Sequence, residues 1–416
     1  MNKFNLIKLG GMIDDMTKHG LIMVAFGILG GLFNYLYQLA MGVLLPTQEY
    51  GVLFSLTSLF VILIVVSQAI TIAVAKFTSK LVAEGRLGGV NYVWRLFFTK
   101  MLLAGIGGFA ILALLSPLLS RFLKLDSIIY PIIVFSAIFI VLMLSVNLGT
   151  LQGLQKFVPL GSSQVLAGFL RLVLGVFLVQ CGFGVQGALT AIPVAFFLVL
   201  IFTFLPLRNL LSVRNERVSL PDVRSYAGLT LLAISCVTVL INIDVILAKH
   251  YLTATDAGNY SAMSVLGRVA FYAPVGIAAA MFPKTSELFE RSGDHRGPFA
   301  RAMILTVLIA GSVVVVYALF PHHLAQFLFD GKYPLIGTYL ATYGLAMGFL
   351  AVSFLAMSYL LSLNQTKVAF SLLGVMLLEI FLIVAFHSGI GQMVNVLLAC
   401  AVLSPFSMLP FFHRHN

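Results

Sequence analysis

Long apolar runs recur along the whole chain at a length that suits membrane-crossing helices. Runs of about 20 or more residues, enough to cross the hydrocarbon core of a bilayer as a helix, can be counted twelve times. Composition agrees, because the chain is 60% hydrophobic and 9% charged, with a mean hydropathy of +1.06. The approximate bounds are 20–45, 51–75, 93–119, 128–150, 162–182, 184–207, 226–249, 257–282, 302–320, 335–362, 368–387 and 390–412. The sequence therefore predicts an all-α polytopic membrane protein.

The basic residues give these spans a direction. Nineteen of the 25 Lys and Arg residues fall on the side of the first span that holds the N-terminus. The exceptions are Arg121, Lys124, Lys249 and Lys332 on the opposite side, and Arg171 and Arg268 within spans. Basic loops stay in the cytoplasm, so we expect both termini to be cytoplasmic. The net charge of +11 is scattered over short loops, which favours contact with anionic membrane lipid and argues against a nucleic-acid partner.

The two halves of the chain resemble each other. Thr-Gln-Glu-Tyr-Gly at 47–51 aligns with Ala-Thr-Asp-Ala-Gly at 254–258 under a shift of 207 positions, and each opens a long apolar run. The same shift places Thr-Ser-Lys-Leu at 78–81 on Thr-Ser-Glu-Leu at 285–288. We predict two six-helix lobes, 1–207 and 226–416, joined by a cytoplasmic linker at 208–225. Because each half has an even number of spans, the lobes should be related by an axis along the membrane normal.

Several classes of function lack the sequence features that they need. The longest polar stretches are too short to fold as domains, and the chain has no Gly-x-x-x-x-Gly-Lys-Ser/Thr loop to hold nucleotide phosphates. The outer loops are short and poor in carboxylates and histidines, so we expect no enzyme activity, no cofactor and no metal site. The three cysteines, Cys181, Cys236 and Cys400, are predicted to lie inside helices as apolar packing residues.

Four motifs, in their order and spacing, carry a family resemblance. They are Leu-Pro-Thr-Gln-Glu-Tyr-Gly ending at Gly51, Leu-Gln-Gly-Leu-Gln-Lys-Phe at 151–157, Thr-Asp-Ala-Gly-Asn-Tyr at 255–260, and Leu-Phe-Asp-Gly-Lys-Tyr at 328–333. With the twelve-span layout, they make the chain similar to the polysaccharide transporter branch of the multidrug/oligosaccharidyl-lipid/polysaccharide exporter superfamily. The resemblance covers essentially the whole chain.

This resemblance implies a fold and a function. The fold would be MATE-like, with two six-helix lobes in the plasma membrane. The function would be that of a flippase that moves a polyprenyl-diphosphate-linked oligosaccharide to the outer leaflet for O-antigen, capsule or exopolysaccharide synthesis. The expected partners are the lipid-linked oligosaccharide, membrane lipid, and the polymerase and glycosyltransferases of the same pathway.

Two arginines within spans are the first candidates for a binding site. Arg171 and Arg268 fall near the middle of apolar runs, where a charged side chain costs about 2.5–3.5 kcal/mol on insertion scales unless it faces protein or water. A guanidinium group suits bidentate contact with a diphosphate or an anionic sugar. The alternative for each is a structural role, in which it pairs with a carboxylate or with helix carbonyls.

Two carboxylates within spans are candidates for binding a coupling ion. Asp244 could pair with Arg268 across the hairpin of its helix and the next, or could bind a proton or sodium. An Asp–Arg pair would keep the carboxylate ionised and would argue against proton transport. Glu379 lies centrally in its span and has no basic residue nearby in the sequence. It is either a packed, protonated acid or a coupling-ion site.

Amide side chains complete the candidate set. Asn34 and Gln38 are four residues apart on the first helix and so share a face. The 207-residue shift places this stretch near Asn242 and Asp244, so both halves carry polar groups at matching depth, as a central cavity would require. The alternative is hydrogen bonding between helices.

Two other functions remain open. An ion-coupled drug exporter of the same superfamily would need a more apolar, acidic cavity for cationic cargo, whereas two arginines favour anionic cargo. A membrane enzyme of glycan assembly would need a catalytic cluster at one face.

Overall fold

A computed structural model describes residues 3–218, 224–291 and 293–412, and most of the described residues are helical, with no strand among them. The helices of the first half are α1 (Lys3–Leu44), α2 (Thr47–Ala83), α3 (Leu87–Phe122), α4 (Ile129–Gly153), α5 (Phe157–Leu178) and α6 (Gly184–Leu211). The helices of the second half are α7 (Arg224–Tyr251), α8 (Ala254–Gly267), α9 (Val269–Tyr272), α10 (Val275–Glu290), α11 (Arg296–Leu319), α12 (Pro321–Phe329), α13 (Ile336–Ser362), α14 (Val368–Ala385), α15 (Ile390–Ser407) and α16 (Leu409–Phe412).

The predicted membrane-crossing architecture is confirmed. Among the described residues, 11 helical stretches are long and apolar enough to cross a membrane. One of them, Phe157–Leu211, is 55 residues long and contains both α5 and α6. The chain turns between these two helices at Gly182, whose φ of 91° is a left-handed conformation that glycine adopts without a steric penalty. The predicted spans 162–182 and 184–207 are therefore two helices joined by a tight turn, and the chain is a multi-pass membrane protein.

Two compact units make up the chain. The first comprises Met1–Leu44, Val66–Pro117 and Ile128–Pro221, and the second comprises Leu45–Val65, Leu118–Ser127 and Asp222–Asn416. Helices α2 and α3 each contribute residues to both units. The predicted boundaries of the lobes and linker, and the cytoplasmic position of the termini, stay predictions. Residues 219–223 of that linker lie outside the described residues.

In the first unit, α1 packs along α5, and α6 packs against both α4 and α5. Glycines allow α1 and α5 to approach closely, since a Cβ added to Gly168 would lie 2.9 Å from the carbonyl oxygen of Gly30. The start of the predicted linker is tied to this unit. Asn91 Nδ2 donates to the Val213 carbonyl at 2.6 Å, and the Glu216 backbone N–H donates to the Gly88 carbonyl at 3.1 Å.

In the second unit, α13 packs against α8, α9, α10, α11, α12 and α15, while α7 packs against α8 and α14. Most of α13 is buried, which explains why its sequence is apolar on every side. Helix α8 begins at the repeated motif. Its N-cap residue is Thr253, whose Oγ1 accepts from the Asp256 backbone N–H at 3.1 Å and donates to Asp256 Oδ2 at 2.8 Å.

Three features differ in detail from the sequence expectation. The predicted span 257–282 is not one helix, because α8, α9 and α10 are separated at Arg268 and again at Ala273–Pro274. The second interruption lies at Pro274, where proline removes a backbone donor. The predicted loop between the spans 302–320 and 335–362 contains the helix α12. Cys181 lies in the π-helical turn at 179–183 but is exposed, so its predicted role as a packing residue is wrong, whereas Cys236 and Cys400 are buried as predicted.

Candidate functional site

Arg171 forms a cationic centre in the first unit. Its side chain, which is 8% exposed, extends from α5 towards α1. Nη1 donates to Oδ1 of Asn34 at 3.4 Å, and the guanidinium carbon lies 4.2 Å from the centroid of the Tyr37 ring. An arginine over an aromatic face is a stabilising cation–π arrangement. The structure therefore brings together two predicted residues, Arg171 and Asn34.

The surroundings of Arg171 are held in place by local packing. The Tyr37 hydroxyl donates to the Ala188 carbonyl at 2.8 Å, and Asn34 Nδ2 donates to the Gly30 carbonyl at 3.1 Å. A Cβ added to Gly175 would lie 2.6 Å from Cε2 of Tyr37, so the absence of a side chain there makes room for the ring. These contacts fix the two groups on α1 that the guanidinium touches.

Arg171 retains binding capacity after these contacts. Among the side chains that the structure describes, at 22–218, 228–291 and 293–412, no acidic residue forms an ion pair with it. Its Nε and Nη2 atoms are buried and have no hydrogen-bond partner in that part of the chain. A buried cation with two free donors is suited to an anionic ligand.

Arg268 forms a second cationic centre, in the second unit. It is 7% exposed and lies at the interruption between α8 and α9. Nη1 donates to Oδ1 of Asn242 at 3.1 Å, and Nη2 lies 3.6 Å from Oδ1 of Asp244. The guanidinium carbon lies 4.9 Å from the centroid of the Phe54 ring, and Ser58 Oγ is 3.5 Å from Nη1. The pairing of Arg268 with Asp244 that the sequence predicted is present in the structure.

Asp244 is held by two tyrosines as well as by Arg268. Its Oδ2 accepts hydrogen bonds from the hydroxyls of Tyr260 at 3.0 Å and Tyr343 at 2.7 Å. Both tyrosine side chains are fully buried. Its Oδ1, which faces Arg268, has no hydrogen-bond partner. One oxygen of Asp244 thus accepts two hydrogen bonds, and the other makes only a long ion-pair contact with Arg268.

Glu379 lies near Asp244, and no described basic residue forms an ion pair with it. Its side chain on α14 is completely buried, and neither Oε1 nor Oε2 has a hydrogen-bond partner. It lies within electrostatic range of Asp244, Tyr260 and Cys400. An unpaired carboxylate is costly to bury, so this position favours the neutral, protonated acid or an acid with a bound cation.

The predicted site residues therefore fall into two groups. Asn34 and Arg171 meet in the first unit, and Asn242, Asp244, Arg268 and Glu379 surround one another in the second. Gln38, one turn from Asn34 on α1, is partly buried, and its role stays a prediction. Among the described residues, no group of three or more His, Cys, Asp and Glu side chains is arranged to hold a metal.

The aromatic partners were not predicted as site residues. These are Tyr37 beside Arg171, and Phe54, Tyr260 and Tyr343 around Arg268 and Asp244. Tyrosine is common throughout membrane helices, so its presence alone gives little information. A signal was available at Tyr260, which is the last residue of the family motif at 255–260.

A family model described as "Polysaccharide biosynthesis protein" matches residues 44–336. No curated protein sequence matches the chain. Solved structures with a similar fold include an inward-facing multidrug resistance MATE family transporter of the MOP superfamily, with a TM-score of 0.75 and 14% identity over 94% of this chain and 96% of that chain. They also include an outward-facing structure of such a transporter, with a TM-score of 0.62 and 15% identity over 94% and 95% of the two chains.

A further similar structure is a MOP superfamily transporter from Pyrococcus furiosus, with a TM-score of 0.61 and 16% identity over 95% of both chains. That protein is described as having a binding pocket of reverse polarity, which suggests a different function for it. The similarity to these three structures establishes the fold, and the family match spans more than half of the chain. The chain therefore belongs to the polysaccharide biosynthesis protein family.

Proposed function

We propose that this protein is a flippase, which moves a polyprenyl-diphosphate-linked oligosaccharide across the plasma membrane by alternating access. The observation that carries the proposal is the pair of buried arginines, each with guanidinium nitrogens that have no hydrogen-bond partner. A charge is costly inside a membrane protein, so a guanidinium with unused donors favours a role in binding. The diphosphate of the lipid carrier is an anion of matching geometry.

The family supports the same class of cargo. Proteins that make polysaccharides in the cytoplasm from lipid-linked units need a step that exposes each unit on the outer face of the membrane. We propose that the cargo serves O-antigen, capsule or exopolysaccharide synthesis. The partners would be the glycosyltransferases that build the unit and the polymerase that uses it. The proposal assigns no catalytic step to this chain.

The direct test is translocation in proteoliposomes. A fluorescent polyprenyl-diphosphate oligosaccharide would be placed in both leaflets, and its exposure would be followed with a membrane-impermeant quencher. The native chain should accelerate exchange between leaflets, and Arg171→Ala and Arg268→Ala should each reduce the rate at least tenfold. Arg121→Ala is the matched control, because Arg121 is exposed at the end of α3 and should have no effect. Native rates equal to those of empty liposomes would refute the proposal.

One observation favours a second candidate, an ion-coupled multidrug exporter. Glu379 and Asp244 place two acidic groups near each other inside the second unit, as transport of a cation would require. The same reconstituted protein distinguishes the two functions. Export of a cationic dye under an imposed ion gradient, without movement of the lipid-linked oligosaccharide, would support the exporter and exclude the flippase.

We also propose that Glu379 and Asp244 are the groups at which a coupling ion acts. Glu379 supports this because both of its oxygens are buried without a partner. If translocation by the native chain responds to an imposed pH or sodium gradient, Glu379→Gln should abolish that response while leaving exchange without a gradient measurable. An unchanged response in Glu379→Gln would remove Glu379 from this role.

A further inference from the structure

Asp244 lies beside Arg268, the cationic centre of the second unit, and near the second buried acid, Glu379. Helices α8, α13, α14 and α15 all pack against α7, the helix that carries Asp244. The titratable groups that interact with Asp244 are Arg268, Tyr260, Tyr343 and Glu379, and Cys400 on α15 interacts in turn with Glu379. A change in the charge of Asp244 therefore changes its electrostatic interaction with Arg268.

The contact between Asp244 and Arg268 is loose. Nη2 and Oδ1 are 3.6 Å apart, longer than the roughly 2.7–2.9 Å of a charge-assisted hydrogen bond, and neither atom has a hydrogen-bond partner. By contrast, Oδ2 of Asp244 accepts from two tyrosine hydroxyls at 3.0 and 2.7 Å. The tyrosines thus hold the carboxyl group in place, while the oxygen towards Arg268 is available for another partner.

An anion that binds Arg268 leaves the negative charge of Asp244 without its counterion. It would bring negative charge next to Asp244, and it would draw the guanidinium away from the only described residue that forms an ion pair with Asp244. Glu379 cannot replace that counterion, because it is itself acidic. A buried carboxylate that loses its counterion becomes costly, and a proton removes the cost.

We infer that Asp244 takes up one proton when an anionic headgroup engages Arg268, so that anion binding and proton binding favour each other. This inference rests on the proposed function, in which Arg268 binds the diphosphate. The proton comes from water and binds to Oδ1, the atom that Arg268 leaves. The hydrogen bonds from Tyr260 and Tyr343 to Oδ2 are retained.

Because anion binding and proton uptake are linked, the inference predicts how the affinity for an anion depends on pH. If binding of one anion is accompanied by uptake of one proton, its affinity must rise about tenfold for each unit by which the pH falls, over the range where the proton is taken up. Without such uptake, affinity at Arg268 would not depend on pH beyond the titration of the anion itself. If a proton and the cargo competed for the site, the affinity would instead fall as the pH falls.

The experiment is calorimetric titration of the purified full chain with inorganic pyrophosphate at one pH, in two buffers of different ionisation enthalpy. The difference in heat gives the number of protons taken up for each anion bound. The native chain should take up close to one proton more than Asp244→Asn, because the proton change of pyrophosphate itself is common to both. Asp256→Asn is the matched control: the same substitution, made at a capping residue of α8, should behave as the native chain does.

Sulfate provides a second measurement that needs no variant at Asp244, since its charge is constant near neutral pH. The affinity of the native chain for sulfate should rise about tenfold when the pH falls by one unit. Arg268-dependent binding of either anion without proton uptake would overturn the inference and leave the flippase proposal intact. Binding that is unaffected by Arg268→Ala would overturn the inference and also remove Arg268 from the proposed cargo site, whereas the translocation assay tests the flippase function separately.

Discussion

Gly51 and Gly258 occupy the same place in the two copies of the repeated motif, and in the second unit they lie against each other. A Cβ added to Gly51 would lie 3.0 Å from the backbone nitrogen of Gly258, and one added to Gly258 would overlap the carbonyl oxygen of Thr47. The first turns of α2 and α8 are therefore packed backbone against backbone. The repeat that was visible in the sequence marks a close contact between equivalent helix ends.

This contact predicts that Gly258→Ala destabilises the protein. The added methyl group meets the Thr47 backbone, which cannot move aside as a flexible side chain could. Overpacking of this kind costs about 1–3 kcal/mol, so the thermal unfolding midpoint of the detergent-purified protein should fall by several degrees.

Gly276→Ala is the matched control for this prediction. Gly276 lies on α10, and an added Cβ would have no heavy atom within 4 Å. Because alanine favours helix more than glycine does, Gly276→Ala should leave the unfolding midpoint unchanged or raise it slightly. A Gly258→Ala protein as stable as Gly276→Ala would show that α2 and α8 do not pack this closely.

Arg268→Ala should reduce stability as well as transport. It leaves Asp244 buried without its counterion, and loss of one partner from a buried ion pair costs about 3–5 kcal/mol. Adding Asp244→Asn in the same chain should restore most of the unfolding midpoint, since the unpaired charge is gone. Translocation should remain lost, because the guanidinium is still absent. Restored translocation in the double variant would mean that Arg268 serves only to balance Asp244.

Arg171→Ala should separate transport from stability more cleanly. Among the described residues Arg171 has no acidic partner, so its removal leaves no buried carboxylate unpaired. We expect translocation to fall at least tenfold, while the unfolding midpoint falls less than in Arg268→Ala. Arg171→Lys should recover only part of the rate, because an ammonium group cannot make a bidentate contact with a diphosphate. A loss of stability equal to that of Arg268→Ala would indicate a structural role for Arg171.

The charged part of the candidate site could be predicted from the sequence, because a charge in an apolar run is conspicuous. Arg171, Arg268, Asp244 and Glu379 all stood out in this way. The pairing of Arg268 with Asp244 followed from their positions on consecutive spans, which pack as a hairpin. The spans themselves followed from hydropathy, since a backbone in lipid must satisfy its own hydrogen bonds.

The rest of the site depends on packing between distant helices. Tyr343 reaches Asp244 across 99 positions, and Asn34 meets Arg171 across 137. No proline in the sequence predicts the interruption of the helix at Arg268, whereas Pro274 marks the second interruption. Periodicity describes one helix at a time, so it could not predict which faces of separate helices meet.

Lys332 lies between α12 and α13 and donates a hydrogen bond to the carbonyl of Leu45, the residue that follows α1. Burial lowers the pKa of Lys332 from its ordinary value of 10.5. The folded protein therefore binds this proton less tightly than the unfolded chain does, and stability should rise as the pH rises from the lowered pKa towards 10.5. Burial raises the pKa of the neighbouring Tyr333 above 10.0, which opposes this trend at higher pH, so unfolding midpoints should be compared below pH 10.0.

The unfolding midpoint of the native chain should rise with pH relative to that of Lys332→Met, whereas Lys124→Met, a change at an exposed lysine, should follow the native curve. Parallel curves for the native chain and Lys332→Met would show that Lys332 is as well solvated in the folded protein as in the unfolded chain.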